Sequence, residues 1–527
     1  MCLRMTKGAG PRGNWVLAAM VFAVGMTFID QTIVSIAIPD IEENLQLSET
    51  GVQWVINAYL LALAATFALG GRLADTLGSR KLVTTGVIVF GAASALCGLT
   101  PDTGLAEAWL IVFRAIQGIG AALMIPAALA LVISSYQVSE RGQKLAIFFA
   151  ITGALTSVGP IAGGYLTTID WRAIFWVNIP IALIALALIA YSKPSDSRTP
   201  ARLDLTGAVL VTGGMAFSVL GLQQSANWGW GSPETIGSLI LGTLLLVLFV
   251  LHELRVDSPL LRIRIFTNRA FASDNAILFL LMIGFIPLFF FASTYAQLSL
   301  GQSAANAGLY ILTFFIGFAI ASQIAGRVLD KVGARPAIVI GSAISAVGFF
   351  LWAGSMTDLS VSAQTAWIIL SGFGMGLVLT PANTDAINRA PKTSYGEATG
   401  ITQTVRNYGA SLGLAILGTI LIAQNRINLE DKLEKVGLPK GEIDRIAADV
   451  VGGGGPRGGP SNGGSGGTEV FTAIQEAYAA STQTVFYVIA GVMVLMFVVA
   501  LIFVPKGKAP DAVADDAFES PAEAESA

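Results

Sequence analysis

The sequence predicts an all-α membrane protein of fourteen transmembrane helices: two six-helix bundles with a further helix pair inserted between them. Three observations carry this. The 527 residues are 54% hydrophobic and only 12% charged, roughly half the charged share of an ordinary soluble domain. Mostly apolar runs long enough to cross a bilayer, about 20 residues each, recur along the whole chain. A ten-residue pattern, Gly-Arg-x-x-Asp-x-x-Gly-x-Arg, occurs at 71–80 and again at 326–335, an offset of 255 positions, each copy lying between two such runs. A charged hairpin that returns at one fixed offset marks a duplicated bundle.

The spans follow in order. Six begin near Trp15, Gly51, Leu82, Ala108, Leu145 and Ala173 and form the N-terminal bundle, 15–192. Two begin near Leu203 and Thr235 and form the inserted pair, 203–253. Six begin near Ala272, Ala305, Ala337, Ala363, Gly400 and Thr482 and form the C-terminal bundle, 270–505. The first hairpin then joins helices 2 and 3, and the second joins helices 10 and 11. Plain duplication of six helices would put the second between 8 and 9, so the offset itself demands an inserted pair.

With residues 1–14 placed inside the cell, 22 lysines and arginines fall on inner segments, and the short outer loops hold only Arg172. That asymmetry predicts two cytoplasmic termini. Arg4, Lys7 and Arg12 precede an apolar run too long for a signal peptide, so it reads as a retained first helix. Residues 426–481 read as an external loop, polar and partly helical at first, then glycine-rich and flexible over 452–460 and 463–467. The acidic, Ala/Pro-rich segment 506–527 reads as a disordered cytoplasmic tail.

Composition also narrows function. A net charge of −3 leaves no basic surface for nucleic acid. Cys2 and Cys97 are isolated, and His252 is the one histidine, so no metal cluster or histidine-based catalytic site can be assembled. The expected partners are small amphipathic molecules, protons and the lipid bilayer. The expectation is a monomer that is not an enzyme and uses no cofactor, only a proton gradient.

Asp30 is the leading candidate for chemistry. Residues 15–29 are too short to span, so the first helix must carry this aspartate inside the membrane, where insertion costs about 2.5–3.5 kcal/mol. A carboxyl there suits a proton carrier; the alternative is a structural polar residue near the outer interface. Counting 1.5 Å per residue, Arg114 in helix 4 falls at about the same depth, as a partner across a cavity or as a side chain snorkelling outward. In helix 5, Gly159, Pro160, Gly163 and Gly164 form a hinge or a close-packing seam. Asp75 with Arg80, and Asp330 with Arg335, form either ion-pair latches between conformations or solvated turns. Gln53, Asn57, Gln117, Phe289, Tyr310 and Phe314 are candidates to line a cavity for a bulky apolar or cationic ligand. Asp274, Asp385, Glu397 and Arg406 lie near inner helix ends and read as interfacial anchors.

The ordered motifs resemble one family. Ile29-Asp30-Gln31-Thr32 through Pro39 is similar to the first-helix motif of the fourteen-helix drug:proton antiporters of the major facilitator superfamily. The 71–81 hairpin, Arg114-Ala115-Ile116-Gln117-Gly118 in helix 4, and Gly153 with 159–164 in helix 5 match that family's motifs in order. Asp170-Trp171-Arg172, Phe175 to Pro180 and Gly229-Trp230-Gly231-Ser232 resemble its fourteen-helix branch. The resemblance implies a major facilitator fold in the cell membrane and multidrug efflux by alternating access. Lipophilic cationic or neutral compounds would leave as protons enter, with Asp30 and Arg114 coupling the two. A dedicated exporter of one metabolite or antibiotic is the nearer alternative, and a membrane sensor without transport the remoter one.

Overall fold

The computed structural model describes residues 11–136, 138–194, 204–389, 395–436, 438–440 and 464–508. The readings of the first ten residues, of the glycine-rich stretch up to residue 463 and of the acidic tail beyond residue 508 lie outside them. Every described element is helical. In chain order they are α1 (Pro11–Leu45), α2 (Glu49–Leu77), α3 (Ser79–Gly98), α4 (Ala106–Ser134), α5 (Val138–Thr167), α6 (Ala173–Trp176) and α7 (Asn178–Ser192). The inserted pair is α8 (Leu205–Trp228) and α9 (Pro233–Glu253). The second bundle holds α10 (Arg269–Leu298), α11 (Ala304–Val332), α12 (Arg335–Ser355), α13 (Val361–Asn388), α14 (Tyr395–Val436) and α15 (Gly464–Phe503). Thirteen spans among the described residues have the length and apolarity to cross a membrane, with α6 and α7 forming one of them. The 30-residue α5 completes fourteen.

Local chemistry sets the boundaries. Ser48, Asp204, Ser232, Asn268 and Ser303 cap the first turns of α2, α8, α9, α10 and α11 by accepting backbone N–H bonds. The second glycine of each repeated hairpin, Gly78 and Gly333, has φ of 101° and 94°. A left-handed conformation there is open to glycine at little cost, and it turns α2 into α3 and α11 into α12. We call the side of the molecule bearing these turns the hairpin end. The α6–α7 break falls at Val177, because Pro180 has no N–H to give Trp176 O.

The duplication is visible in the packing. In the first lobe α2 packs on α4, α3 on α4, α1 on α5, and α1 on α7. The second lobe repeats each pair: α11 on α13, α12 on α13, α10 on α14, and α10 on α15. The lobes meet along two equivalent seams, α2 with α14 and α5 with α11. The inserted pair breaks this symmetry, since α8 packs against both α2 and α14 and covers only that seam. α9 packs on α8 and is mostly exposed, as a lipid-facing helix would be.

One region differs from the sequence reading. α14 continues to Val436 and α15 starts at Gly464, so residues 426–436 and 464–481 extend the last two helices. Leu429 and Leu433 pack on Ala473, Ile474 and Ala477, and Lys432 pairs with Glu476 at 2.5 Å. This antiparallel contact carries both helices past the apolar spans, and α15 begins at Gly464, within the stretch that composition alone marks as flexible.

Candidate functional site

Asp30 and Arg114 meet in the middle of the first lobe. Arg114 Nη1 donates to Asp30 Oδ2 at 2.5 Å, with the side chains 1% and 0% exposed. Asp30 Oδ1 accepts from Gln117 Nε2 at 2.8 Å and from Asn178 Nδ2 at 3.2 Å. The guanidinium also donates to Gln117 Oε1 at 2.7 Å and to Val55 O at 2.9 Å, and it lies 4.6 Å from the centre of the Tyr59 ring. Asn178 is bonded in turn to Ser94 Oγ at 3.0 Å, and Ser94 Oγ donates to Phe175 O at 2.8 Å. Helices α1, α2, α3, α4 and α7 thus converge on one carboxylate.

The arrangement is electrostatically balanced. A lone buried charge is very costly, and removing one member of a buried pair costs about 3–5 kcal/mol. Here a single negative and a single positive charge meet, with neutral amide and ring groups around them. If helices shift and the pair separates, each charge is left buried without its partner.

Beside it lies the helix-5 motif. Pro160 has no N–H, so Thr156 O, one turn earlier, lacks its helical donor. Thr32 Oγ1 of α1 lies 3.0 Å from that carbonyl. Gly159 and Gly163 let α5 approach α1 so closely that a Cβ would meet Thr32 and the Ile33 carbonyl. On the other side α5 meets the second lobe. A Cβ on Gly164 would strike Ala304 O, and one on Gly308 would strike Pro160 O. Gly153, three turns along the same face of α5, has nothing within 4 Å of its Cβ position. The α5–α11 seam is therefore closed away from the hairpins.

The other seam closes at the same level with polar groups. Asn57 of α2 accepts a short hydrogen bond from Ser411 of α14, and its amide lies 2.6 Å from that of Gln223 on α8. A Cβ on Gly418 of α14 would strike the Gln53 side chain. Gln297 Nε2 of α10 donates to Ile36 O of α1 at 2.9 Å.

All six cavity candidates are buried in this conformation. Gln117 belongs to the ion-pair network, and Gln53 and Asn57 lie in the α2–α14 seam. Phe289 and Phe314 pack at 5.9 Å between ring centres in a cluster with Phe285, Phe315 and Phe318. Tyr310 donates to Gln364 Oε1 at 2.5 Å and accepts from Trp352 Nε1 at 2.9 Å, inside the second lobe. In the hairpins, Arg335 donates to Leu501 O at 2.6 Å, and Asp330 is exposed with no ion pair among the described residues. The Asp75 side chain lies outside those described. Arg72 of the same hairpin donates to Pro259 O at 3.1 Å.

Two acids need correction. Asp274 and Asp385, expected as interfacial anchors, are 0% and 1% exposed. They lie on faces of α10 and α13 turned into the second lobe, which position along a helix does not reveal. Sequence reasoning also missed Thr32, Ser94, Gln223 and Ser411 as contributors. Asn178 carries a signal in the sequence, its place two residues before Pro180 within the Phe175–Pro180 motif.

Two pseudo-equivalent helical lobes, one of them holding a buried ion pair, define a multi-pass membrane transporter. The chain belongs to the Major Facilitator Superfamily, whose family model matches residues 20–414. It is 36% identical over 437 residues to the puromycin resistance protein pur8 of Streptomyces alboniger, covering 81% of this chain and 85% of that one. It is 32% identical over 440 residues to the tetracenomycin C resistance and export protein of Streptomyces glaucescens, covering 82% and 81%. The fold is similar to an inward-facing, unoccupied bacterial homologue of the human lysosomal transporter Spinster. The TM-score is 0.65 at 16% identity, covering 95% of this chain and 100% of that one.

Proposed function

We propose that this protein exports lipophilic, cationic or neutral drug-like compounds from the cell by alternating access, driven by proton entry. The observation that carries the reading is the buried Asp30–Arg114 pair, set beside the α1–α5 contact that adjoins the lobe interface. Relatives named for drug resistance and export supply the direction and the substrate class. The hairpin end carries Arg72, Arg80, Lys81, Arg327, Lys331 and Arg335, and this excess of basic residues supports a cytoplasmic hairpin end. The state described here is then closed to the outside.

In this cycle Asp30 takes a proton when the outside opens and Arg114 has moved off. The proton is released inward when the pair re-forms. The membrane potential contributes about 2.3 kcal/mol per charge per 100 mV, with the pH term added. The protein acts as a monomeric carrier, not an enzyme, and needs no cofactor. The test is pH-gradient-driven uptake into inverted vesicles at equal protein level. Asp30→Asn is expected to lose gradient-driven accumulation and retain downhill movement; full gradient-driven transport by Asp30→Asn would sink the assignment. Relatives named for single compounds favour, as a second reading, a dedicated exporter. A panel of labelled compounds in the same assay separates the two.

A further inference from the structure

The second lobe holds two carboxyls that the cycle above does not use. Asp274 is the sixth residue of α10 and is 0% exposed. Neither of its carboxyl oxygens has a hydrogen-bond partner. It is faced by Asp385 of α13 and by Arg389, the residue that caps the C-terminus of α13. Asp385 Oδ2 accepts from Arg389 Nε at 2.6 Å, and its Oδ1 also lacks a partner. Helices α1, α11, α14 and α15 and the 3-10 turn Ile263–Thr267 also pack on α10, and among the described residues none of them turns another charge on Asp274. Arg406 of α14 is bonded to Asn383 and Gln403.

The arithmetic of charge is decisive. Two buried carboxylates against one guanidinium leave one negative charge, and Asp274 has no donor to hold it, which is strongly unfavourable. One proton on the pair removes the excess charge and supplies the missing donor. We propose that Asp274 and Asp385 form a second proton-binding site, sharing one proton beside Arg389, and that its occupancy controls how the segment after α15 docks on the second hairpin.

The link to the hairpin is geometric. Arg389 Nη2 donates to Gly507 O at 3.3 Å, so the residue that balances the acids also holds this segment. The same Gly507 carbonyl lies so close to Gly333, the turn of the α11–α12 hairpin, that a Cβ there would strike it. Arg389 O accepts from Asn268 Nδ2 at 3.2 Å, which fixes the backbone while leaving the guanidinium able to swing. When the proton leaves to the adjoining aqueous phase, two full negative charges compete for the guanidinium. It turns towards them and releases Gly507 O, freeing residues 504–508 and the hairpin they cover.

This site stands whether or not Asp30 carries the coupling proton, and the experiment separates the two. The full-length protein is reconstituted in lipid and titrated while the infrared carbonyl stretch of protonated carboxyls is recorded. The wild type is expected to show a one-proton band that Asp274→Asn and Asp385→Asn each lose and Asp30→Asn keeps. A band unchanged in both Asp274→Asn and Asp385→Asn overturns the proposal; either variant alone suffices if the other fails to accumulate. The docking claim is read from maleimide labelling of Lys508→Cys at each pH, relative to the same cysteine in the Asp274→Asn background. That ratio is expected to rise about tenfold from acid to alkaline pH, the weight of one hydrogen bond to a charged group. A ratio that stays flat overturns it.

Discussion

Thr32 on α1 lies 3.0 Å from the Thr156 carbonyl on α5, the one that Pro160 leaves without a helical donor. Thr32 is two residues from Asp30, so one turn of α1 carries both the buried carboxylate and the plug for the gap in α5. A shift of α5 at the lobe interface therefore acts on the same turn that holds Asp30 against Arg114.

Replacing that hydroxyl with a methyl group tests the contact. Thr32→Val keeps the shape and leaves Thr156 O unsatisfied, at a cost of about 1 kcal/mol. Its thermal unfolding midpoint in detergent should fall below that of Thr32→Ser, and its gradient-driven transport should slow. Equal midpoints for the two variants would mean that the α5 gap is filled by another donor.

The closed seam predicts a wedge. A Cβ at Gly308 has no room against Pro160 O, whereas one at Gly153 meets open space. Gly308→Ala should shift the population towards lobes parted at the end away from the hairpins. Paired spin labels at Thr168 and Ser303 would report this as a longer mean distance. Gly153→Ala should leave the distribution as in the wild type, and a longer distance there too would point to a general loss of packing.

The hairpins should govern rate and not recognition. In this state Arg335 holds Leu501 O and Asp330 is exposed, so an Asp330–Arg335 latch would have to form in a different state. Asp330→Asn and Asp75→Asn should lower turnover several-fold with substrate Kd unchanged, because a latch biases the conformational equilibrium. Unchanged turnover in both variants and in their combination would reduce the hairpins to turns that only orient helices.

Orientation has its own check. Lys435 is exposed on the extension of α14, and Asp330 is exposed at the hairpin end. Lys435→Cys should react with an impermeant maleimide on intact cells, and Asp330→Cys only after permeabilisation. The reverse pattern would turn the molecule over in the membrane and export into import.

Asp30 and Arg114 were readable in the sequence because charge is rare within an apolar span, and depth follows from counting residues at a fixed rise. The inserted pair was readable from the offset between hairpins. Thr32 was not, because a helical threonine ordinarily bonds back to its own helix, and only the rotation of α1 against α5 shows the second acceptor. Gln117 and Tyr310 looked free to meet a ligand, since polarity is visible in sequence and prior engagement with Asp30 or Gln364 is not. Gln223 sits on a helix outside the repeat, and its place in the seam depends on how α8 docks.

α9 packs chiefly on α8 and runs 21 residues from Pro233 to Glu253, with His252 Nε2 in its last turn 3.0 Å from Asp204. At 1.5 Å per residue it is about 32 Å long, close to the hydrocarbon thickness of an ordinary bilayer. It is the least buried of the spans among the described residues and lies outside both seams between the lobes. In a thinner bilayer α9 can tilt by itself, so mismatch strain is absorbed at the rim of the molecule while the two lobes keep their register.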